Sequence, residues 1–392
     1  MEQHLFETIA RAYGTPAYLF DLDALTSRLQ YIRELLGNTA ELCYAMKANP
    51  FLVKPMLPLV EHFEVCSPGE FALCEKAQIP ANRIVLSGVY KEKEEMARVI
   101  RTYDAQITYT IESEHQYEIL KEYSQQASTP LNLLFRFSSG NQFGMDEPTL
   151  IRLLQDLLAH PTLHFHGIQY YSGTQKKKFT FIEKELNELD AVCHRLQQLI
   201  HHPIPVLEYG PGLYVSYFEP EEAEQEKTLL LQLHQKLQQM TFGGKIILEM
   251  GRFMVAACGY YLTSVVDIKR TGDQNYCIVD GGIHHMNYYG QNMGMKPPPL
   301  QHFPDKPLGK LEAWNICGSL CTSGDVLAKQ YSLPDLSLQD LVVFHKLGAY
   351  AITESLFFFL SRNLPKVFYY GRQHGLQLVR DELPTYPLHS YP

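Results

Sequence analysis

Lys47 stands where a covalent nucleophile is expected. It follows the apolar run Leu42–Met46 directly, and its neighbours on both sides are apolar in the segment Ala-Met-Lys-Ala-Asn. Partial desolvation of a lysine favours the neutral amine, which is the form that attacks a carbonyl carbon. A surface lysine at a strand end has the same spacing, so Lys47 by itself does not decide between the two interpretations.

Two more segments place functional groups after predicted strands. Gly210 and Gly212 follow the seventh strand, and glycines at such a point let backbone N–H groups approach a phosphate. Glu249 and Arg252 lie at the end of the eighth strand, where they offer a carboxylate and a guanidinium group. A tight turn and a plain ion pair are the respective structural alternatives.

The cysteines and histidines do not indicate a metal site. Cys317 and Cys321 are four residues apart, but no second pair stands at zinc-finger spacing. The adjacent histidines at 201–202 and 284–285 are more typical of core or surface positions than of ligands. We therefore expect no bound metal.

These residues would be positioned by strands that alternate with amphipathic helices. Eight strands are predicted, at Leu42–Met46, Phe63–Cys66, Ile84–Ser87, Gln106–Ile111, Leu131–Phe137, Leu163–Tyr171, Val206–Tyr209 and Ile246–Glu249. The alternation favours an α/β fold, a (β/α)8 TIM-type barrel, in which reactive side chains gather at the carboxyl ends of the strands. An open doubly wound sheet is the alternative, and it is weakened because no Gly-x-Gly-x-x-Gly turn follows the first strand.

The pattern changes after about residue 250. Tyr260–Ile268 and Tyr276–Asp280 flank a polar turn at 270–273, which predicts a hairpin. Leu341–Phe344 and Val367–Tyr370 have the composition of further strands. The last third of the chain is therefore predicted to form a second, antiparallel β domain.

The composition limits the classes of partner. The chain has 392 residues and a net charge of −9 without a basic stripe, which argues against nucleic acid and anionic membranes. No apolar stretch is long enough to cross a bilayer. The N-terminus has no basic region followed by an apolar one, so we expect no secretory leader. Eight scattered cysteines then indicate reduced thiols. We expect a cytoplasmic protein that binds small molecules and other protein chains.

Several segments, taken in order, resemble the fold-type III pyridoxal-phosphate (PLP) decarboxylases, the group of the diaminopimelate and ornithine/arginine decarboxylases. The similar segments are Ala45–Asn49, Glu64–Ser67, Gly173–Gln175, Gly210–Gly212, Glu249–Arg252, Cys321–Asp325 and Gly348–Tyr350. Within that group the likeness is greatest to the butirosin-pathway type, which decarboxylates a glutamyl group held on an acyl carrier protein. The segments that carry this likeness are Gln142–Asp146, Tyr171–Gln175, Val279–Gly282 with His284 and His285, and Leu320–Thr322. The likeness covers nearly the whole chain.

The resemblance implies that PLP is the cofactor and that Lys47 forms an imine with it. It also implies that Glu249 pairs with the protonated pyridine nitrogen and that Cys321 of the other subunit protonates the product. The other cofactor-binding residues that it implies are Glu64, Arg136, Tyr171, Thr174, Gly210, Gly212, Gly251, Arg252 and Tyr350. The substrate-binding residues that it implies are Thr322 and Asp325.

The fold implied is that of the alanine racemase and decarboxylase group. It consists of a PLP-binding barrel over residues 22–250 and a β-sandwich or barrel domain formed by residues 1–21 and 251–392. Members of the group work as head-to-tail homodimers with shared active sites, and we expect the same here.

Two departures from the family pattern bear on the substrate. Pro211 replaces a glycine of the phosphate loop and removes one N–H donor. Thr322 stands where diaminopimelate decarboxylases have Glu and diamine-forming enzymes have Asp, acids that meet a second amino group of the substrate. We therefore expect an acidic or neutral amino acyl substrate, free, carrier-bound, or an intermediate of natural-product or siderophore synthesis.

Two other functions fit part of the pattern. An amino-acid racemase on a related barrel would usually have arginine rather than Glu249 at the ring nitrogen. A decarboxylase-like regulator without cofactor would have no use for Lys47, Glu249, Arg252 and Cys321, all of which are present.

Overall fold

The computed structural model describes residues 2–218, 223–288, 294–304 and 309–391. The chain divides into two compact units. One comprises Leu29–Val215 and Glu222–Phe253, and the other comprises Met1–Arg28, Ser216–Glu221 and Met254–Pro392. Among the helices described, none is both long and apolar enough to cross a membrane.

The chain begins with a helix and a strand that belong to the second of these units. Helix α1 covers Glu2–Tyr13 and strand β1 covers Ala17–Asp21. Helix α2, at Leu22–Leu36, then leads along the chain into the first unit.

The first unit is a closed barrel of eight parallel strands. They are β2 (Glu41–Ala45), β3 (His62–Val65), β4 (Ile84–Leu86), β5 (Thr108–Ile111), β6 (Leu131–Arg136), β7 (Leu163–Tyr171), β8 (Val206–Gly210) and β9 (Lys245–Met250). Each strand pairs with the next, and β2 pairs with β9 to close the ring. The predicted fold class is confirmed, and all eight predicted strands are present.

Helices follow the barrel strands. They are α3 (Val53–Met56), α4 (Pro68–Lys76), α5 (Lys93–Tyr103), α6 (Glu114–Ser124), α7 (Glu147–Leu158), α8 (Phe179–Ile200), α9 (Ala223–Gln239) and α10 (Arg252–Val255). The start of α4 illustrates how the sequence sets a helix end. Ser67 accepts a hydrogen bond from the Glu70 N–H, and the Glu70 carboxylate accepts one from the Cys66 N–H.

The second unit is a mixed sheet, with nine strands among the residues that the structure describes. Besides β1, its strands are β10 (Gly259–Thr271), β11 (Gln274–Val279), β12 (Leu300–Phe303), β13 (Glu312–Cys317), β14 (Val326–Leu333), β15 (Leu341–Phe344), β16 (Lys366–Gly371) and β17 (Gly375–Arg380). The predicted hairpin is present as the antiparallel pair β10 and β11. The sheet is not purely antiparallel, since β1 pairs in parallel with β16 and β11 with β13.

Small and medium apolar side chains fill one layer of the barrel. This cluster is formed by the buried residues Cys43, Val85, Leu134, Val206 and Ile247, one from each of five strands. Inward-facing side chains pack a barrel interior as a solid core, and they thereby hold the strand ends at fixed positions.

Leu134→Ala tests this layer. The side chain is fully buried, and its truncation leaves a cavity, so we expect a loss of about 3 kcal/mol in the free energy of unfolding. Urea unfolding measures the change. Leu158→Ala is the control, because Leu158 on α7 is 57% exposed and should change stability by less than about 0.5 kcal/mol. Equal losses in the two variants would contradict the packing described.

Candidate active site

An amine lies between two carboxylates at the carboxyl end of the barrel strands. Lys47 follows β2 in a single helical turn at Met46–Ala48. Its Nζ atom lies 2.7 Å from Glu64 Oε2 and 3.3 Å from Glu249 Oε1. The Lys47 side chain is 38% exposed, while those of Glu64 and Glu249 are 2% and 5% exposed. The amine is therefore accessible to a small molecule, whereas the carboxylates are covered.

The two carboxylates differ in protonation. Burial raises the pKa of Glu64, but the positive charge of Lys47 and several hydrogen bonds outweigh this effect and lower the pKa to about 2. Burial and then the negative charge of Glu64 raise the pKa of Glu249 to about 7. At neutral pH Glu64 is therefore the ionised partner of Lys47, and Glu249 retains part of its proton.

Gln169 and Glu208 extend this cluster into the barrel interior, and the sequence analysis missed both. Gln169 on β7 donates from Nε2 to Glu249 Oε2 over 3.1 Å. Glu208 on β8 is the register partner of Gln169 and is completely buried. A polar residue within an otherwise apolar strand was the available signal, but the sequence alone does not show which residues face inward.

Cys66 is a third residue that the sequence analysis did not assign. Its Sγ atom lies 3.3 Å from Glu64 Oε1 and 3.9 Å from Lys47 Nζ. Burial and then the negative charge of Glu64 raise the pKa of the Cys66 thiol well above its usual range. The thiol is therefore neutral and donates to the Glu64 carboxylate.

Arg136 belongs to a second charged group at the same barrel end. Its Nη1 atom lies 3.1 Å from Glu112 Oε1, and both side chains are buried. Nearby, the buried Lys91 donates to the Ser87 carbonyl oxygen over 2.9 Å. Burial lowers the pKa of Lys91 to about 8. The positive charge of Arg136 also lowers the pKa of Glu249, after the larger effects of burial, Glu64 and Lys47.

The glycine loop after β8 packs where no side chain fits. A Cβ atom on Gly210 would lie 2.6 Å from Cδ2 of Tyr171. Gly212 has a φ of +59°, and a Cβ atom there would lie 2.0 Å from the Gly173 carbonyl oxygen, next to Thr174. Both glycines are therefore required, and they bring the loop against the end of β7.

The segment after β9 packs against the turn that carries Lys47. A Cβ atom on Gly251 would lie 2.8 Å from the Ala48 Cβ atom, so glycine allows this close approach. Arg252 follows as the first residue of α10 and is 6% exposed. The predicted barrel residues thus all lie at the carboxyl ends of strands or in the loops that follow them.

Four predicted site residues belong to the sheet unit. Cys321 and Thr322 are exposed. Asp325 is buried, and its two carboxylate oxygens accept hydrogen bonds from the backbone N–H groups of Ile283 and Leu320 over 2.9 and 2.8 Å. Asp325 therefore anchors the loop that carries Cys321, a structural role that the sequence did not predict.

Tyr350, the fourth of these residues, has a φ of +61°. Its carbonyl oxygen accepts a hydrogen bond from the Glu354 N–H over 2.9 Å. A positive φ is uncommon for an aromatic residue, so the turn around Tyr350 is locally strained.

Comparison with known proteins identifies relatives along almost the whole chain. A family model described as the pyridoxal-dependent decarboxylase, C-terminal sheet domain, matches residues 18–348. The chain is 27% identical to 2-[(L-alanin-3-ylcarbamoyl)methyl]-2-hydroxybutanedioate decarboxylase of Staphylococcus aureus, over 92% of this chain and 95% of that protein. It is 26% identical to L-glutamyl-[BtrI acyl-carrier protein] decarboxylase of Niallia circulans, over 97% and 94%.

Solved structures share the fold. Diaminopimelate decarboxylase from M. jannaschii superimposes with a TM-score of 0.87 at 21% identity, over 99% of this chain and 94% of that one. The Helicobacter pylori enzyme complexed with L-lysine has a TM-score of 0.85 at 21% identity, over 99% and 98%.

The barrel residues fit PLP. An accessible amine at Lys47 can bond to an aldehyde, and the buried Glu249 beside it suits the pyridine nitrogen. The loop at Gly210 and Gly212 is kept clear of side chains, which suits a phosphate group. Arg252 would add a positive charge at the end of β9.

Glu249→Gln tests the electrostatics of the cofactor-free protein. Because the pKa of Glu249 is raised to about 7, its contribution to stability is lost as pH rises from about 4.3, the usual value, through 7. The Glu249→Gln variant has no titratable group at this position and keeps its stability as pH rises. We therefore expect the variant to be more stable than the wild type at pH 8, by about 1–3 kcal/mol, and equally stable at pH 4.5. Thermal unfolding at both values measures this.

Glu183→Gln is the matched control, since Glu183 lies on the exposed side of α8. It should shift stability equally little at both pH values. A Glu249→Gln variant that is less stable than the wild type at pH 8 would show that the carboxylate is a net stabilising group.

Proposed function

Since this chain belongs to the pyridoxal-dependent decarboxylase family, we propose that Lys47 anchors PLP and that the substrate is an acidic or neutral amino acyl unit. The chain is thus a carboxy-lyase that uses PLP. The observation that supports the role of Lys47 is the position of its amine within 3.3 Å of Glu249 and 2.7 Å of Glu64.

Bound PLP supplies an electron sink for the charge that remains on the substrate when carbon dioxide leaves. Glu249 would hold a proton at the pyridine nitrogen of bound PLP, and its raised pKa keeps part of a proton on its carboxyl group at neutral pH. Glu64 lies beside the Lys47 amine and stabilises its positive charge until the amine reacts. The resemblance assigns Tyr171 to a face of the ring, and Arg252, Gly210, Gly212 and Tyr350 to the phosphate.

We infer a homodimer with shared active sites, in which Cys321 of one subunit acts in the site of the other. Exposure of Cys321 on a loop held by Asp325 supports this arrangement, because a fixed and accessible thiol can protonate a carbanion. A cytoplasmic location is supported by the eight cysteines, because all of them are free thiols.

The substrate is inferred from the relatives and from Thr322. One relative is named for a substrate with a hydroxybutanedioate group and the other for a glutamyl group on a carrier protein. Thr322 is exposed and uncharged, so it offers no ion pair to a second amino group. These observations support an acidic or neutral substrate, carried on a protein or made in a natural-product or siderophore pathway.

Lys47→Ala tests the proposed anchor. We expect the wild type to be yellow, and borohydride to fix the cofactor on the peptide that contains Lys47, which mass spectrometry detects. The variant should show no labelled peptide, and its release of carbon dioxide should fall at least about 10³-fold.

Lys54→Ala is the control, because Lys54 is an exposed lysine seven residues later, and it should keep both properties. Candidate substrates should be screened free and carrier-bound. Inversion of an amino acid without carbon dioxide release would replace the decarboxylase proposal with a racemase, and a colourless protein that does not take up PLP would indicate a regulator.

Cys321→Ala tests the proposed proton donor. Loss of a positioned acid should slow turnover about 10²-fold or more, while PLP binding measured by absorbance stays the same. Cys317→Ala, four residues earlier and half-buried, should remain within about twofold of the wild type. Equal turnover in the two variants would exclude Cys321 as the acid.

A further inference from the structure

Glu208 is a buried carboxyl group with no role in the proposed decarboxylation. Its side chain lies inside the barrel on β8 and is 0% exposed. Among the residues that the structure describes, none donates a hydrogen bond to either carboxyl oxygen. An ionised carboxylate in such a position would be very costly, because burial removes its hydration and nothing replaces it.

Gln169 lies between Glu208 and the site. The register of β7 and β8 pairs Gln169 directly with Glu208, and both side chains are buried. Gln169 uses Nε2 to donate to Glu249 Oε2 over 3.1 Å. Its other end, Oε1, is buried and receives no donor from the residues described.

We propose that Glu208 carries a proton at neutral pH and donates it to Gln169 Oε1, which makes Glu208 a positioning residue that keeps the Gln169 N–H directed at Glu249. The proposal rests on the function proposed above, since it assigns a purpose to the orientation of Glu249. The result is a chain of hydrogen bonds from Glu208 in the barrel interior through Gln169 to the Glu249 carboxylate.

The direction of the hydrogen bonds in this chain follows from the protonation of the two carboxyl groups at its ends, Glu208 and Glu249. If Glu208 were ionised, Gln169 would turn its amide to donate to Glu208 and present Oε1 to Glu249. Two acceptors would then face each other, and ionised Glu249 would be disfavoured. With Glu208 neutral, the Gln169 amide N–H stabilises ionised Glu249, the state that would form if its proton were shared with the pyridine nitrogen of PLP.

The surrounding charges place the proton on Glu208. The charges of Glu249 and Glu64 raise its pKa, and Gln169 and then Lys47 lower it by less. Cys43 is a further titratable neighbour. Burial is the largest effect and raises the pKa of Glu208 well above its usual value. Lys47 lies at 3.3 Å from Glu249, so the available positive charge favours ionisation there.

Infrared spectroscopy of the holoenzyme tests the proton directly. We expect a carbonyl stretch of a protonated carboxylic acid in the wild type at pH 7.5, and the component of this band that belongs to Glu208 should be lost in Glu208→Gln. The matched control is Glu185→Gln, because the Glu185 carboxylate already accepts from Lys176 over 2.7 Å and from Tyr209 over 2.6 Å, and this variant should keep the band. Identical spectra for the wild type and Glu208→Gln would overturn the proposal.

The affinity for PLP tests the positioning role. The amide of Glu208→Gln can still donate to Gln169 Oε1, so this variant should bind PLP within about threefold of the wild type. Glu208→Leu offers no donor and should bind PLP about tenfold more weakly, as expected for one lost buried hydrogen bond. Equal affinities of the two variants would contradict the role. Because the infrared band belongs to the protein, it remains observable even if no carbon dioxide is released, and so separates this proposal from the proposed function.

Discussion

The attraction between the Lys47 amine and two buried carboxylates is the interaction on which the site depends. Glu64 and Glu249 lie on different strands, and closure of the barrel brings both to the end of β2. Three acidic groups, with Glu208 included, are buried close enough to affect one another's charge. They cannot all be ionised there, so each neighbour sets the protonation of the others. The acid and base properties of the site therefore belong to the group and not to any one residue.

Much of this arrangement could be predicted from the sequence. The barrel strands are short apolar runs between helices, and that local pattern determines them. Lys47 and Glu249 could be found because both stand at the ends of such runs, where barrel enzymes place their reactive groups. The prediction of the hairpin β10 and β11 was likewise local, since its two strands are adjacent in the chain.

The rest depends on contacts between distant parts of the chain. Gln169 and Glu208 lie within strands, and only the register between strands shows that they interact with each other and with Glu249. The parallel pairing of β1 with β16 joins Ala17 to Lys366, and no local pattern indicates it. The backbone contacts of Asp325 were missed for the same reason, because its partner Ile283 lies 42 residues earlier.

Asp325 fixes the backbone of its loop independently of the exposed side chains that the loop carries. The Asp325 carboxylate accepts a hydrogen bond from the loop backbone, while the side chains of Cys321 and Thr322 are exposed and do not pack in the core. New side chains at position 322 can therefore arise by single mutations without unfolding the scaffold.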